Sequence, residues 1–73
     1  MITFEIGGKY FQESYYDSDV IFKMTVINRT KKFLHILCDN DDNIFKLKIR
    51  DNGDYESVSS RHGIYYQSKS VIE

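Results

Sequence analysis

The fold is decided by the stretch IFKLKIRDNGD, residues 44–54, in which apolar and basic side chains alternate before a turn sequence. The two sets are Phe45, Leu47 and Ile49 against Lys46, Lys48 and Arg50. A period of two places these sets on opposite faces of a β-strand. The Asn52-Gly53 pair that follows predicts a type I′ hairpin turn, which requires positive φ angles at its two central residues.

Neighbouring segments extend this pattern into a small sheet. Three consecutive antiparallel strands are predicted at Val20–Asn28, Phe33–Cys38 and Ile44–Arg50, joined by polar turns. Shorter extended segments are predicted at Met1–Ile6, Lys9–Phe11, Tyr55–Ser59 and around Val71 and Ile72. The inward set of the first long strand is Val20, Phe22, Met24 and Val26. The prediction is an all-β meander of five to six strands that closes into a small antiparallel, SH3-like barrel, because closure hides the sheet edges.

Length and composition limit both the architecture and the function. The 73 residues predict one domain, 1–73, whose small core is built largely on six Tyr and five Phe. A net charge of −1 is unlike that of a dedicated DNA-binding protein or an acidic DNA mimic. Cys38 is the single cysteine and has no disulfide partner in the chain, which favours the reducing cytoplasm. No apolar run approaches the length of a membrane span.

Several motifs together resemble those of small uncharacterised proteins of bacterial phages and conjugative or other mobile elements. The resemblance follows the chain from Gly8-Lys9-Tyr10-Phe11 through Ser14-x-x-Asp17-x-Asp19-x-Ile21-Phe22 to Val26-x-x-Arg29-Thr30-x-Lys32-Phe33, then Ile49-Arg50, Asn52-Gly53 and residues 65–72. It implies a mobile element in a bacterium as the genomic setting. From this setting, inhibition of a host defence complex is the expected role.

Metal binding and catalysis are both disfavoured by the residue pattern. Residues 39–43 begin like an EF-hand loop, but the positions that require Gly and Glu hold Ile44 and Arg50. His35 and Cys38 are three residues apart on a predicted strand and therefore face opposite sides, and His62 is the only other histidine. No nucleophile elbow or phosphate-binding loop is present. We predict a non-enzymatic protein with no metal site and no cofactor.

Protein binding is the favoured function, and two groups of residues are its candidate site. The first is an acidic, aromatic loop with Tyr15, Tyr16, Asp17 and Asp19, at the place of the SH3 specificity loop; the second is the Tyr65 and Tyr66 pair. Tyrosine is enriched at interface hot spots. The competing interpretation is that one tyrosine of each pair packs inward. The expected partner is a host or element protein.

Two further interpretations remain open. Lys23, Lys46, Lys48 and Arg50 form a basic strand face that predicts, as the alternative function, a small-barrel nucleic-acid-binding protein. The competing interpretation is that these basic side chains only keep the outer face of the sheet hydrated and bind no nucleic acid. Phe33–Cys38 is apolar on both alternating faces, so its outer side is predicted to be covered by the chain's own termini, by a second copy in a homodimer, or by a target.

Overall fold

The computed structural model describes residues 1–14, 16, 19–39, 42–60 and 63–72. Those residues contain no helix and form seven strands: β1 Lys9–Glu13, β2 Ile21–Arg29, β3 Phe33–Cys38, β4 Ile44–Lys48, β5 Arg50–Asp51, β6 Glu56–Ser59 and β7 Tyr65–Gln67. The all-β prediction is confirmed. In the described part of the chain there is no helix of the length and apolarity that a membrane crossing requires.

The strands form two antiparallel sheets in meander order. Strands β1 to β4 make a four-stranded sheet, and β5 to β7 make a three-stranded sheet. The predicted strand over Ile44–Arg50 is divided at Ile49, whose N–H donates to the Lys32 carbonyl, so that β4 pairs with β3 and β5 pairs with β6. This division, together with a strand at Tyr65–Gln67 that lies outside the predicted extended segments, gives seven strands instead of five or six.

The core lies between the two sheets and draws on both of them. Its fully buried members are Phe4, Tyr10, Met24, Val26, Leu34, Ile36, Val58 and Tyr66. Of the four residues predicted to face inward on β2, Met24 and Val26 are buried in the core. Phe22 is partly buried and packs against the edge of the core, whereas Val20 precedes β2 and is exposed. The rings of Phe4 and Tyr10 meet edge to face at a centroid distance of 4.8 Å, a favoured aromatic geometry.

The N-terminal segment is the clearest departure from strict alternation. In a regular strand over the predicted segment Met1–Ile6, Ile2, Phe4 and Ile6 would share one face, but only Phe4 is buried. Ile2 makes an isolated parallel bridge to Tyr55, and the chain then turns at Gly7, where φ is +84°. Because the segment does not continue as a paired strand, its two isoleucines are left at the surface.

A β-bulge in β2 changes the direction of one side chain that matters for stability. The register with β3 shifts between Val26 and Asn28, so Ile27 is the extra residue. After the bulge Arg29 lies opposite the buried Leu34 and therefore points inward. Strict alternation from Val26 would have turned Arg29 outward, into the basic turn that the sequence suggests.

Arg29 enters a polar connection between the two sheets. Its Nη1 and Nη2 donate to Oε1 and Oε2 of Glu56 at 2.8 and 3.1 Å. Nη1 also donates to the Phe4 carbonyl at 2.8 Å, and the Phe4 N–H donates to Glu56 Oε1 at 2.9 Å. The Arg29 guanidinium, the Glu56 carboxylate and the Phe4 backbone therefore each have a hydrogen-bond partner from another segment of the chain. The Arg29–Glu56 ion pair thus connects β2, β6 and the N-terminal segment.

The hairpin at Asn52-Gly53 is confirmed, but its predicted turn type is wrong. Gly53 has φ of +89°, whereas no described residue other than glycine has positive φ, which excludes Asn52 from the conformation that a type I′ turn requires. The turn is shifted by one residue from the predicted position, since Asp51 pairs with Glu56 and the Asn52 N–H donates to the Tyr55 carbonyl, which leaves Gly53 and Asp54 at the tip. The Gly53 N–H donates to Asp51 Oδ1 at 2.8 Å, which holds the turn closed.

Candidate functional site

The outer face of the four-stranded sheet, meaning the side chains of β1 to β4 that point away from the core, is the strongest candidate site. The register places side chains of adjacent strands side by side on this face: Lys9 opposite Thr25, Phe11 opposite Lys23, and His35 opposite Lys46. These residues alternate with the buried set on every strand, so the backbone ladder fixes their positions. The result is a surface with little conformational freedom in its backbone.

Aliphatic side chains are unusually prominent on this face. Ile44 is 59% exposed, Ile21 is 48% exposed, and Ile27, which follows the inward Val26, is 42% exposed. Leu37 lies directly between Thr25 of β2 and Ile44 of β4 and is half-buried. Several exposed aliphatic side chains on one sheet face indicate a contact surface more strongly than isolated ones do.

The charge on this face differs sharply from that of the rest of the chain. Within the described strands it carries four lysines, Lys9, Lys23, Lys46 and Lys48, and one acid, Glu13. Asp39 follows β3 beside Lys23, where its N–H donates to the Lys23 carbonyl. By sequence the remaining residues hold six of the ten basic groups and ten of the eleven acidic groups. The described strands of this sheet therefore present a net positive outer face, although the whole chain carries a net charge of −1.

Three of the four lysines or arginines predicted for nucleic-acid binding share this face. Lys23, Lys46 and Lys48 lie on it, as alternation predicted, whereas Arg50 lies beyond the bend at Ile49 in the second sheet. The Lys46 ammonium lies over the Phe33 ring at 4.4 Å from the centroid. This cation–π contact occupies one face of the aromatic ring and partly covers the outer side of β3.

A cleft opens at one end of the outer face. It has a volume of about 340 Å³ and is lined by Phe11, Ile21, Lys23, Val71 and Ile72. The C-terminal segment forms one wall, because the Phe11 N–H donates to the Ser70 carbonyl and the Ile72 N–H donates to the Lys9 carbonyl. Val71 and Ile72 were predicted to be extended, and they extend the edge of β1 in this way.

The first predicted tyrosine group lies in the part of the chain between β1 and β2. Tyr15 and Asp17 lie outside the described residues. Tyr16 is 96% exposed, and Asp19 is also exposed. The Ser14 N–H donates to the Val20 carbonyl at 2.8 Å and brings the two ends of this loop together.

The second predicted tyrosine pair is divided between the core and the surface. Tyr66 is 1% exposed and is hydrogen-bonded with Cys38, and its burial raises the pKa of its hydroxyl. Tyr65 points to the opposite side of β7, where hydrogen bonds with Ser57 and Tyr55 lower the pKa of its hydroxyl. The interpretation that one tyrosine of the pair packs inward is confirmed here, and Tyr66 is removed from the candidate contact residues.

Metal-binding geometry gains no support from the described residues. No group of three or more His, Cys, Asp or Glu side chains among them converges on a point where an ion could bind. His62 lies outside the described part of the chain. His35 is on the outer face of β3 and Cys38 faces the core, as the three-residue spacing predicted.

Sequence reasoning missed the aliphatic part of the outer face. Ile21 belongs to the same alternating set as Lys23 and was visible as an outward aliphatic residue once Met24 and Val26 were assigned inward. Ile27 was visible in the same way, because it follows the inward Val26 by one residue. The cleft, in contrast, depends on the docking of residues 70–72 against β1, which no local pattern encodes.

The chain matches no protein-family model, no curated protein and no solved structure. Its function must therefore be argued from its own residues.

Proposed function

We propose that this protein is a non-enzymatic protein-binding module that docks through the outer face of its four-stranded sheet. The observation that carries the proposal is the combination of exposed aliphatic side chains with a lysine-rich surround on one rigid face. Protein interfaces use an apolar centre to gain affinity and surrounding charges to steer and orient the partner. The part of the chain that carries the exposed Tyr16 and Asp19 connects β1 to β2, two strands of this sheet.

Protein is favoured over nucleic acid because the exposed apolar residues are mainly aliphatic. Proteins that bind single strands stack bases on accessible aromatic rings. On this face Phe33 carries Lys46 over its ring, and Phe11 lines the cleft at half-buried depth. Ile21 and Ile44 offer no stacking surface, although they suit the side chains of a protein partner.

A different protein is favoured over a second copy of this chain. An isologous dimer pairs the same surface patch of both copies. A homodimer through Phe33–Cys38 would therefore bring two lysine-rich faces together, and like charges in an interface are destabilising. The resemblance to mobile-element proteins suggests a host or element protein as the partner, and the cytoplasm as the compartment.

The same proposal extends to the architecture. We infer that the two sheets are the halves of a small SH3-like barrel. The chain passes from β4 to β5 with a single residue between them, and both sheets contribute to one core. A strand that bends and changes its pairing partner is the usual device for forming the corner of a small barrel.

The docking surface is tested by replacing Ile44 with aspartate. This change puts a negative charge and a shorter side chain at the most exposed aliphatic position of the face, so we expect it to abolish capture of the partner. The measurement is affinity capture from a nuclease-treated bacterial lysate, read by mass spectrometry. Ile6→Asp is the matched control, because Ile6 is 60% exposed, against 59% for Ile44, but lies in the turn before β1.

A single dominant protein should be recovered with the unmodified chain and with Ile6→Asp, but not with Ile44→Asp. Circular dichroism establishes that both variants are folded, since exposed substitutions of this kind usually change stability by about 0.5 kcal/mol or less. Equal recovery with Ile44→Asp and Ile6→Asp would contradict the assignment of the docking surface.

Nucleic-acid binding is the second candidate, favoured by the shared position of Lys23, Lys46 and Lys48. It predicts that a fluorescent oligothymidylate binds and that its affinity falls steeply with salt, because each phosphate contact releases counterions. Replacing Lys23 with methionine, which keeps the aliphatic stem, should then reduce the slope of log affinity against log salt by about one contact. An oligonucleotide that does not bind at low salt excludes this candidate.

A further inference from the structure

The turn between β5 and β6 contains a residue pair that is open to spontaneous chemical modification. Asn52 is the only asparagine of the chain that precedes a glycine, and the other three precede residues with bulkier side chains. Glycine has no Cβ to obstruct the approach of its backbone nitrogen to the preceding side chain. A Cβ built on Gly53 would meet nothing within 4 Å, and Asn52 is exposed to water. This pair is therefore the most reactive asparagine site of the sequence.

Deamidation at such a pair proceeds through a cyclic imide. The Gly53 nitrogen gives its proton to a base in solution and attacks Cγ of Asn52, and the Cγ–Nδ2 bond then breaks to release ammonia. Water opens the imide at either of its two carbonyl groups, which leaves aspartate or isoaspartate at residue 52. The net change converts an amide and water into a carboxylic acid and ammonia, with no oxidation or reduction.

The folded hairpin opposes this reaction at both reacting groups. The Asn52 amide is held by hydrogen bonds from Nδ2 to Ser57 Oγ at 2.8 Å and to the Arg50 carbonyl at 3.3 Å. Ser57 is fully buried, so its hydroxyl is a fixed acceptor. The Gly53 N–H donates to Asp51 Oδ1 at 2.8 Å, which places a carboxylate against the nitrogen that must become negatively charged. Both groups must leave these hydrogen bonds before the imide ring closes.

We propose that Asn52 is a deamidation site that the folded hairpin protects and that local opening of the hairpin exposes. This inference is independent of the proposed docking function. The product does not restore the turn, because a carboxylate has no hydrogen to donate to the Arg50 carbonyl, and its charge lies next to that of Asp51. Isoaspartate also lengthens the backbone within the turn. Each opening that ends in deamidation therefore weakens the β5–β6 hairpin irreversibly.

The test is incubation of the full chain in mildly alkaline buffer, with and without guanidinium chloride, followed by tryptic digestion and mass spectrometry. Cleavage after Arg50 and Arg61 yields residues 51–61, in which Asn52 is the only asparagine. Chromatography separates the aspartate and isoaspartate products from the unmodified peptide. We expect conversion in the folded chain to be at least about tenfold slower than in denaturant, which corresponds to about 1.4 kcal/mol of local opening free energy.

Three variants test the role of the hydrogen bonds. Ser57→Ala removes the acceptor of the Asn52 amide and should accelerate conversion in the folded chain about fivefold, which corresponds to about 1 kcal/mol, the typical contribution of one hydrogen bond. Ser59→Ala is the matched control, because Ser59 is an exposed serine of the same strand. Ile36→Val weakens the core in the other sheet and measures the acceleration that a general loss of stability produces.

The outcomes separate protection by the hairpin from protection by the fold as a whole. Equal conversion of the folded and the denatured chain would overturn the inference. Acceleration by Ser57→Ala that does not exceed that of Ser59→Ala or Ile36→Val would also overturn it. If Ser57→Ala does not fold, Asp51→Ala decides the question, since Asp51 is exposed and its loss frees the Gly53 N–H. Faster conversion in Asp51→Ala supports the inference, and an unchanged rate contradicts it.

Discussion

Replacing Glu56 with glutamine is expected to lower the free energy of unfolding by about 3 kcal/mol, because it leaves Arg29 without its counter-charge in a largely buried site. Glu56 is buried, while the Arg29 side chain is 22% exposed. That residual access to water places the expected loss at the lower end of the range for breaking a buried pair, about 3–5 kcal/mol. Urea denaturation followed by circular dichroism measures the change.

The pH dependence of stability provides an independent signature of the same ion pair. The hydrogen bonds from Arg29 lower the pKa of Glu56 below its ordinary value of 4.5, against the opposing effect of burial. A carboxyl group with a lowered pKa binds protons more readily in the unfolded state. Its contribution is therefore fully present above pH 4.5 and is lost as the pH falls through the folded-state pKa. Glu56→Gln should therefore lack this part of the decrease in stability at low pH.

Glu13→Gln is the matched control for the glutamine substitution. Glu13 is an exposed residue at the end of β1, so the same chemical change there should alter stability by about 0.5 kcal/mol or less. Similar unfolding midpoints for the two variants, with the acid dependence retained in Glu56→Gln, would contradict the structural role of the pair.

The importance of Arg29 illustrates where prediction from sequence stops. Strands β2, β3 and β4 were predictable because their apolar residues recur with a period of two and polar turns separate them. A single extra residue at Ile27 then reverses the direction of Arg29. The signal for that reversal lies in the partner strand and in Glu56, which is 27 residues away in sequence, so no local pattern contains it.

The outer face was only half predictable for the same reason. The direction of Lys23, Lys46 and Lys48 follows from alternation alone, and the structure places all three on one face. The order of the strands and the docking of residues 70–72 decide which aliphatic groups lie beside those lysines. Tyr65 and Tyr66 show another limit of prediction from sequence. Adjacent residues on a strand point in opposite directions, so one of the two is expected to be buried, but only the position of the core determines which one.

Reversing the charge of both Lys46 and Lys48 to glutamate is expected to weaken partner binding about a hundredfold, or two decades in Kd. The two side chains lie on the same face of β4, opposite His35 and Phe33. Glutamates at these positions would place like charges against an acidic partner, which costs association energy and also removes electrostatic steering. The loss of the Lys46–Phe33 contact should lower stability by about 0.5–1 kcal/mol, so the variant remains folded.

The control is the double variant Lys31→Glu with Lys69→Glu, which changes the net charge equally at two residues outside the strands of the outer face. Lys31 lies in the turn before β3, and Lys69 lies over Tyr55 beside the second sheet. Association and dissociation of the captured partner are measured by surface plasmon resonance at two salt concentrations. If the outer face determines recognition, the partner should associate more slowly with the Lys46 and Lys48 variant than with the control variant, and the difference should be largest at low salt. If both double variants weakened binding equally, net charge and not the outer face would determine recognition.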